Sequence, residues 1–268
     1  MFRAGRQCYR QAVCPRGAPN LISIRSAVKS FSGHSVLNGI DLNIKDGELV
    51  FVIGRSGTGK SVLLKAIVGL VRLDSGSISV GPDEVTELTE QELHAVRQRC
   101  GYVFQQPALL DSLTVYENLA FGLRAHRLCE TPAAIMTRIH EVLSQVHLPT
   151  RVLPSYPPEL SFAFQKRASI ARALALSPKY LLFDEPTTGL DPALTVVINQ
   201  LISELRKNLG VTALVVSHDL HCALEIADRI VLLDQGQIVL DATPEQLKSA
   251  NLPLAQKFLR EARARQYG

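Results

Sequence analysis

Two stretches of this chain have residue types and spacings suited to phosphate chemistry. The first is Gly54-Arg55-Ser56-Gly57-Thr58-Gly59-Lys60-Ser61, which fits G-x-x-x-x-G-K-[ST] at every fixed position. Glycines let a backbone fold around phosphate oxygens with its N–H groups turned inward. A helix starting at the end of such a loop adds partial positive charge. Lys60 can reach β- and γ-phosphates, and the Ser61 hydroxyl can ligate Mg²⁺. The second stretch is Asp184-Glu185, directly after the apolar run Tyr180-Leu181-Leu182-Phe183. Carboxylates at strand ends of open parallel sheets lie at the ligand crevice. Behind a phosphate loop, Asp184 is the natural second support for Mg²⁺, and Glu185 is placed to polarise an attacking water. A glycine-rich turn and a solvated acidic pair are the structural alternatives.

The elements that must hold these groups are readable nearby. Leu49-Val50-Phe51-Val52-Ile53 is a continuous apolar run, as in a buried parallel strand. A helix follows from Ser61 to about Leu70. An alternating strand is expected at 21–28 and a second at 36–46, with Phe31 in the turn between them. Asp46-Gly47 reads as a hairpin turn into the strand before the loop. Further strands are expected at 77–80, 101–105, 180–183, 212–216, 229–234 and 237–240, the last two as a hairpin about Gln235-Gly236. From Gln106 to about Leu176 the pattern is helical, its last helix carrying a basic face at Lys166, Arg167 and Arg172. Alternating strands and helices imply a mostly parallel sheet covered by helices, with the central helical block inserted into it.

Composition sets the outer bounds. The 268 residues are 46% apolar and 20% charged, enough for a full core and against global disorder. Arg3, Arg6, Arg10 and Arg16 account for the net charge of +4, so the remainder is formally neutral and gives no footprint for nucleic acid. Residues 1–19 read as a disordered basic extension. Cys8, Cys14, Cys100, Cys129 and Cys222 form no C-x-x-C pair, which suits a reduced compartment. No apolar run approaches the ~20 residues of a membrane helix, so another chain must supply any span.

Over about residues 21–245 the chain resembles the ATP-binding subunits of ABC transporters. Through that resemblance, Phe31 is the aromatic that stacks on adenine. Gln105 is the Q-loop glutamine, which contacts Mg²⁺ and senses the permease. Asp184 and Glu185 are the Walker B aspartate and the catalytic glutamate. Asp191 falls in the D-loop, and His218 is the switch histidine at the γ-phosphate. The implied fold is α/β: a P-loop NTPase with a RecA-like, mostly parallel sheet, an antiparallel β subdomain and an inserted α-helical subdomain. The implied domains are 1–19 as the extension, 20–246 as the ATPase with its helical part at about 106–176, and 247–268 as a basic tail.

A narrower resemblance concerns Gly59-Lys60-Ser61-Val62-Leu63-Leu64-Lys65, the segment 108–118, and Ala255-Gln256-Lys257-Phe258-Leu259-Arg260. These look like the Mce/Mla lipid-transport ATPases. That similarity implies a dimer at the cytoplasmic face of the inner membrane, held there by integral-membrane permease subunits. It also implies an Mce-domain lipid-binding protein, a small STAS-domain partner, ATP and Mg²⁺ as ligands, and a phospholipid-like cargo. Another importer, for amino acids or metals, is the alternative within the class. A regulatory subunit and a non-transport ABC protein stand further off. One departure is large. The family signature L-S-G-G-[QM] is here Leu160-Ser161-Phe162-Ala163-Phe164, which retains Ser161 but neither glycine. The implied consequence is slow turnover.

Overall fold

In the computed structural model, residues 22–129 and 131–266 are described; the basic extension at 1–19 lies outside them. The chain begins with β1 (Ile22–Phe31), β2 (His34–Ile44) and β3 (Leu49–Ile53). Next come α1 (Lys60–Ile67), β4 (Ser75–Val80), β5 (Asp83–Glu84), α2 (Glu90–Arg99) and β6 (Cys100–Val103). Helices α3 (Val115–Ala125), α4 (Pro132–Gln145) and α5 (Phe162–Ala175) follow. The chain then forms β7 (Tyr180–Asp184), α6 (Pro192–Leu209), β8 (Thr212–Ser217), α7 (Leu220–Ile226) and β9 (Arg229–Asp234). It closes with β10 (Gln237–Ala242), α8 (Pro244–Ser249) and α9 (Pro253–Gln266).

These residues fall into two compact units, one of Gln106–Pro178 and one of the segments on either side of it. The flanking unit holds two sheets. Six strands run in the order β10-β9-β3-β8-β7-β6, parallel except that β10 pairs antiparallel with β9. Every residue of β3, β7 and β8 is buried, which explains their unbroken apolar runs. The second sheet, β2-β1-β4-β5, is antiparallel. Leu63, Leu64, Ala66 and Ile67 of α1 join one apolar core with Ile24, Ile40 and Ile78 of that sheet and Val50, Val52, Leu214 and Val216 of the parallel one. Each of the buried leucine, isoleucine and valine side chains stabilises by about 1.5–3 kcal/mol relative to exposure. The first helix is thereby held at the end of β3.

Three local expectations differ from what is observed. Asp46-Gly47 turns the chain but closes no hairpin, because β2 and β3 belong to different sheets. Long-range bonds pin the turn: Gly47 N–H donates to Thr212 Oγ1 at 2.9 Å, and Arg206 Nε donates to the Gly47 carbonyl at 2.8 Å. Phe31 ends β1 instead of sitting in the turn, which is Ser32-Gly33. The strand expected at 101–105 stops at Val103, where its pairing with Phe183 ends.

Within the helical unit, α5 packs against α3 and α4. Side-chain caps set the starts: Thr114 and Glu117 form a reciprocal capping box on α3, and Thr131 caps α4 with proline next in line. The expected basic face of α5 is not one. Lys166 is fully buried and its ammonium lies 5.5 Å from the centre of the Phe162 ring, while Arg172 is half-buried, its guanidinium pushed down by that burial. Long aliphatic stems let both basic residues cover apolar surface.

Asn118 anchors the approach to α3. It is fully buried, accepts from Leu110 N–H at 2.7 Å, and donates from Nδ2 to the carbonyls of Leu110, Leu113 and Thr114, each at 3.0 Å. Asn118→Ala leaves those backbone groups without the partner. The expected loss is about 3 kcal/mol, read as a lowered unfolding midpoint in urea. An unchanged midpoint means other contacts hold this loop.

Candidate functional site

Three parallel strands deliver the chemistry at their carboxyl ends. Gly54 follows β3, Asp184 ends β7 and is followed by Glu185, and His218 follows β8. Because β8 lies between β3 and β7, residues far apart in sequence converge.

The loop is tightly built. Gly54 N–H donates to the Ser217 carbonyl at 3.3 Å, and Thr58 Oγ1 donates to the Arg55 carbonyl at 2.9 Å. Arg55, Ser56 and Gly57 are exposed. Gly59 caps α1 with φ +98, and a β-carbon there would stand 2.5 Å from the Val36 carbonyl oxygen. Both the conformation and the space exclude any other residue. Lys60 begins the helix and is buried. Its ammonium donates to the carbonyls of Gly54 at 2.8 Å and Arg55 at 3.0 Å, and lies 3.4 Å from Glu185 Oε1.

Across the sheet, Ser61 Oγ donates to Asp184 Oδ1 at 2.7 Å. Asp184 is buried, and its other oxygen accepts from the Tyr102 hydroxyl at 3.0 Å. The carboxylate thus faces a hydroxyl at each oxygen. An all-oxygen set of that kind fits a hard cation such as Mg²⁺.

Glu185 is held in a conformation that few non-glycine residues adopt, with φ +49. Its N–H still donates to the Val216 carbonyl at 3.0 Å, which fixes the backbone against β8. Oε2 accepts from Thr188 Oγ1 at 3.1 Å and sits 2.8 Å from His218 Nδ1. Burial works to raise the Glu185 carboxyl, but the His218 hydrogen bond and charge, Lys60 and Thr188 together hold it below the ordinary value. The group is therefore ionised at neutral pH.

The remaining expected residues are placed less centrally. Gln105 is exposed, two residues beyond β6. Phe31 is half-exposed with the Lys29 ammonium 5.3 Å from its ring centre. Ser161 belongs to the helical unit, where its hydroxyl caps α5 by accepting from Phe164 N–H at 3.4 Å. Asp191 caps α6, accepting from Leu194 N–H at 2.9 Å. His221 lies 3.5 Å from Glu225, on α7. Among the described residues, no cluster of His, Cys, Asp and Glu could hold a metal unaided. No helix among them is long and apolar enough to cross a membrane.

Two contributors escape a sequence reading. Thr188 is visible only as part of Thr187-Thr188-Gly189, and Tyr102 only as one more apolar-strand residue. Burial, reinforced by the Asp184 charge, pushes the Tyr102 phenol up, so it stays a donor.

Comparison with known proteins follows the same lines. The family model described as ABC transporter matches residues 37–188, more than half of the chain. A methionine import ATP-binding protein, MetN, of Carboxydothermus hydrogenoformans is 41% identical over 222 residues, covering 82% of this chain and 65% of the relative. MetN of Rhizobium johnstonii is 39% identical over 82% of this chain and 60% of its own length. The sulfate/thiosulfate import ATP-binding protein CysA of Xylella fastidiosa is 39% identical over 84% of this chain and 64% of the relative. The chain thus spans about 60–65% of the length of these relatives. Among solved structures, the ATP-binding cassette MJ0796, dimeric and bound to ADP and Pi after hydrolysis, superposes with a TM-score of 0.77. It is 32% identical, and the match covers 83% of this chain and 98% of that one. The structure of cbiO1 from Clostridium perfringens, part of the ABC transporter complex cbiONQ, gives 0.78 at 28% identity, covering 91% of this chain and 99% of that one.

The relatives correct the lipid-transport expectation, for they carry methionine- and sulfate-import names over 82–90% of this chain. The segments that suggested Mce/Mla proteins have structural duties instead. Leu63 and Leu64 fill the core under α1, Asn118 and the Thr114–Glu117 box build the α3 entry, and Ala255, Phe258 and Leu259 are buried within the chain. Residues with such duties carry no information about cargo. The Mce-domain and STAS-domain partners lose their basis with it. What the loop, the converging carboxylates and the matched relatives do establish is that this chain belongs to the ABC transporter family, as an ATP-binding cassette.

Proposed function

We propose that this chain is the ATP-hydrolysing subunit of an ABC importer for a small solute. It works as a homodimer, peripheral to the membrane through integral-membrane permease subunits, on the cytoplasmic side where ATP is found. The observation that carries the reading is the convergence of Lys60, Ser61, Asp184, Glu185 and His218 at adjoining strand ends. The importer class rests on relatives named for methionine and for sulfate or thiosulfate import.

In this reading the loop N–H groups and Lys60 take the phosphates, which draws the ammonium off the Gly54 and Arg55 carbonyls. Ser61 and Asp184 would hold Mg²⁺, which would supply positive charge to offset that of the phosphates. Glu185, ionised and aimed by His218 and Thr188, accepts a proton from the attacking water. Phe31 offers a ring face to adenine, and Gln105 reports on the permease. The 20–246 segment acts as the ATPase, with 106–176 as its helical part.

Ser161 caps α5 as the signature requires, but Phe162 and Ala163 add side chains where the family has glycines. The Phe162 ring lies back along its own helix, over Lys166. Basal ATP hydrolysis by the purified chain is expected to be measurable and slow. Restoring both glycines with Phe162→Gly/Ala163→Gly is expected to raise kcat roughly tenfold, about 1.4 kcal/mol of barrier. No hydrolysis in either form, with or without permease, sinks the functional reading. Equal rates mean that the Phe-Ala pair is accommodated.

A further inference from the structure

The buried carboxylate of Asp184 has two distinct sides. Oδ1 faces the Ser61 hydroxyl at 2.7 Å, on the side of the phosphate loop. Oδ2 faces the Tyr102 hydroxyl at 3.0 Å, on the side of β6. Tyr102 is paired in register with Leu182, so its hydroxyl reaches along the neighbouring strand to a carboxylate two residues further on. The ring is half-buried and stacks on Phe104, with centroids 4.4 Å apart and planes tilted by 38°. It is thus fixed from below by the strand and from the side by a second ring. Turning the carboxylate about its own axis breaks the bond to Tyr102, so the orientation that presents its other oxygen beside Ser61 is favoured.

We propose that Tyr102 is a positioning residue for metal binding: it locks the Asp184 carboxylate so that Ser61 and Asp184 meet Mg²⁺ as a preformed pair. This rests on the nucleotide reading above and deepens it. Groups that orient a metal-supporting side chain are worth about 10–100-fold in metal affinity.

The test uses Tyr102→Phe, which keeps the ring and its stacking and deletes only the hydroxyl. Two equilibrium titrations are read in the full chain: a non-hydrolysable ATP analogue without metal, and Mg²⁺ against protein saturated with that analogue. The expected result is analogue affinity within about twofold of wild type and Mg²⁺ affinity lower by about tenfold or more. Unchanged Mg²⁺ affinity in the variant overturns the proposal. So does a parallel loss of metal-free analogue binding, which marks general damage to the site. A wild-type chain that takes up no analogue overturns the nucleotide reading itself, and this proposal falls with it.

Discussion

Lys60→Ala is expected to abolish Mg·ATP binding while the chain stays folded. In the free protein the Lys60 ammonium is buried, donates to two loop carbonyls and lies 3.4 Å from Glu185. Phosphate oxygens are stronger partners for the ammonium than those neutral carbonyls, because they set a full negative charge against its positive one. Losing the buried cation of the loop removes about 3 kcal/mol or more of phosphate binding, which is roughly a hundredfold or more in affinity. Alanine is a good helix former, so α1 keeps its start. The apolar face of that helix, Leu63, Leu64 and Ile67, is untouched. Equilibrium binding of labelled ATP, with far-ultraviolet circular dichroism as the fold control, reads the outcome. Wild-type affinity in a folded variant removes Lys60 from the site.

The second large effect belongs to Glu185. Glu185→Gln is expected to lower hydrolysis by about 10²–10⁴-fold, the usual worth of a general base, with ATP affinity little changed. The substitution preserves shape and leaves the φ +49 backbone in place, pinned through its N–H to Val216. It removes the charge that His218 and Lys60 face. With ATP bound and uncleaved, the dimer is expected to persist on size exclusion, where wild type returns to monomers. Monomers throughout, or a near-normal rate, exclude Glu185 as the base. The pH dependence has a defined sign. The Glu185 carboxyl is held below its ordinary value, so its active, ionised form is present at neutral pH and is lost only as pH falls through that lowered value. The stabilisation from its contacts with His218 and Lys60 disappears over the same acid range.

Both experiments begin from residues that sequence alone picks out. The spacing Gly54-x₄-Gly59-Lys60-Ser61 carries its own geometry, because a phosphate nest needs glycine conformations in fixed order. The apolar runs 49–53 and 180–183 announce buried strands, and the carboxylates just beyond the second must then lie at a sheet edge. Helix starts are local as well: Thr89 with Glu92, Thr114 with Glu117, and Asp191 each cap from within three residues.

The rest depended on strand order. Ser61 and Asp184 are 123 residues apart, and their 2.7 Å contact exists because β8 alone separates β3 from β7. No local pattern states which strands become neighbours. Tyr102 likewise meets Asp184 only because β6 is laid beside β7 in one register. The same limit explains the misreadings. Asp46-Gly47 has hairpin chemistry, yet the partner strands went to different sheets, and Thr212 and Arg206 hold the turn. Lys166 looks solvated by type, yet helix packing buries it against the Phe162 ring. Residue type sets what a side chain can do; burial and long-range pairing, which depend on the whole fold, decide which of those options this protein uses.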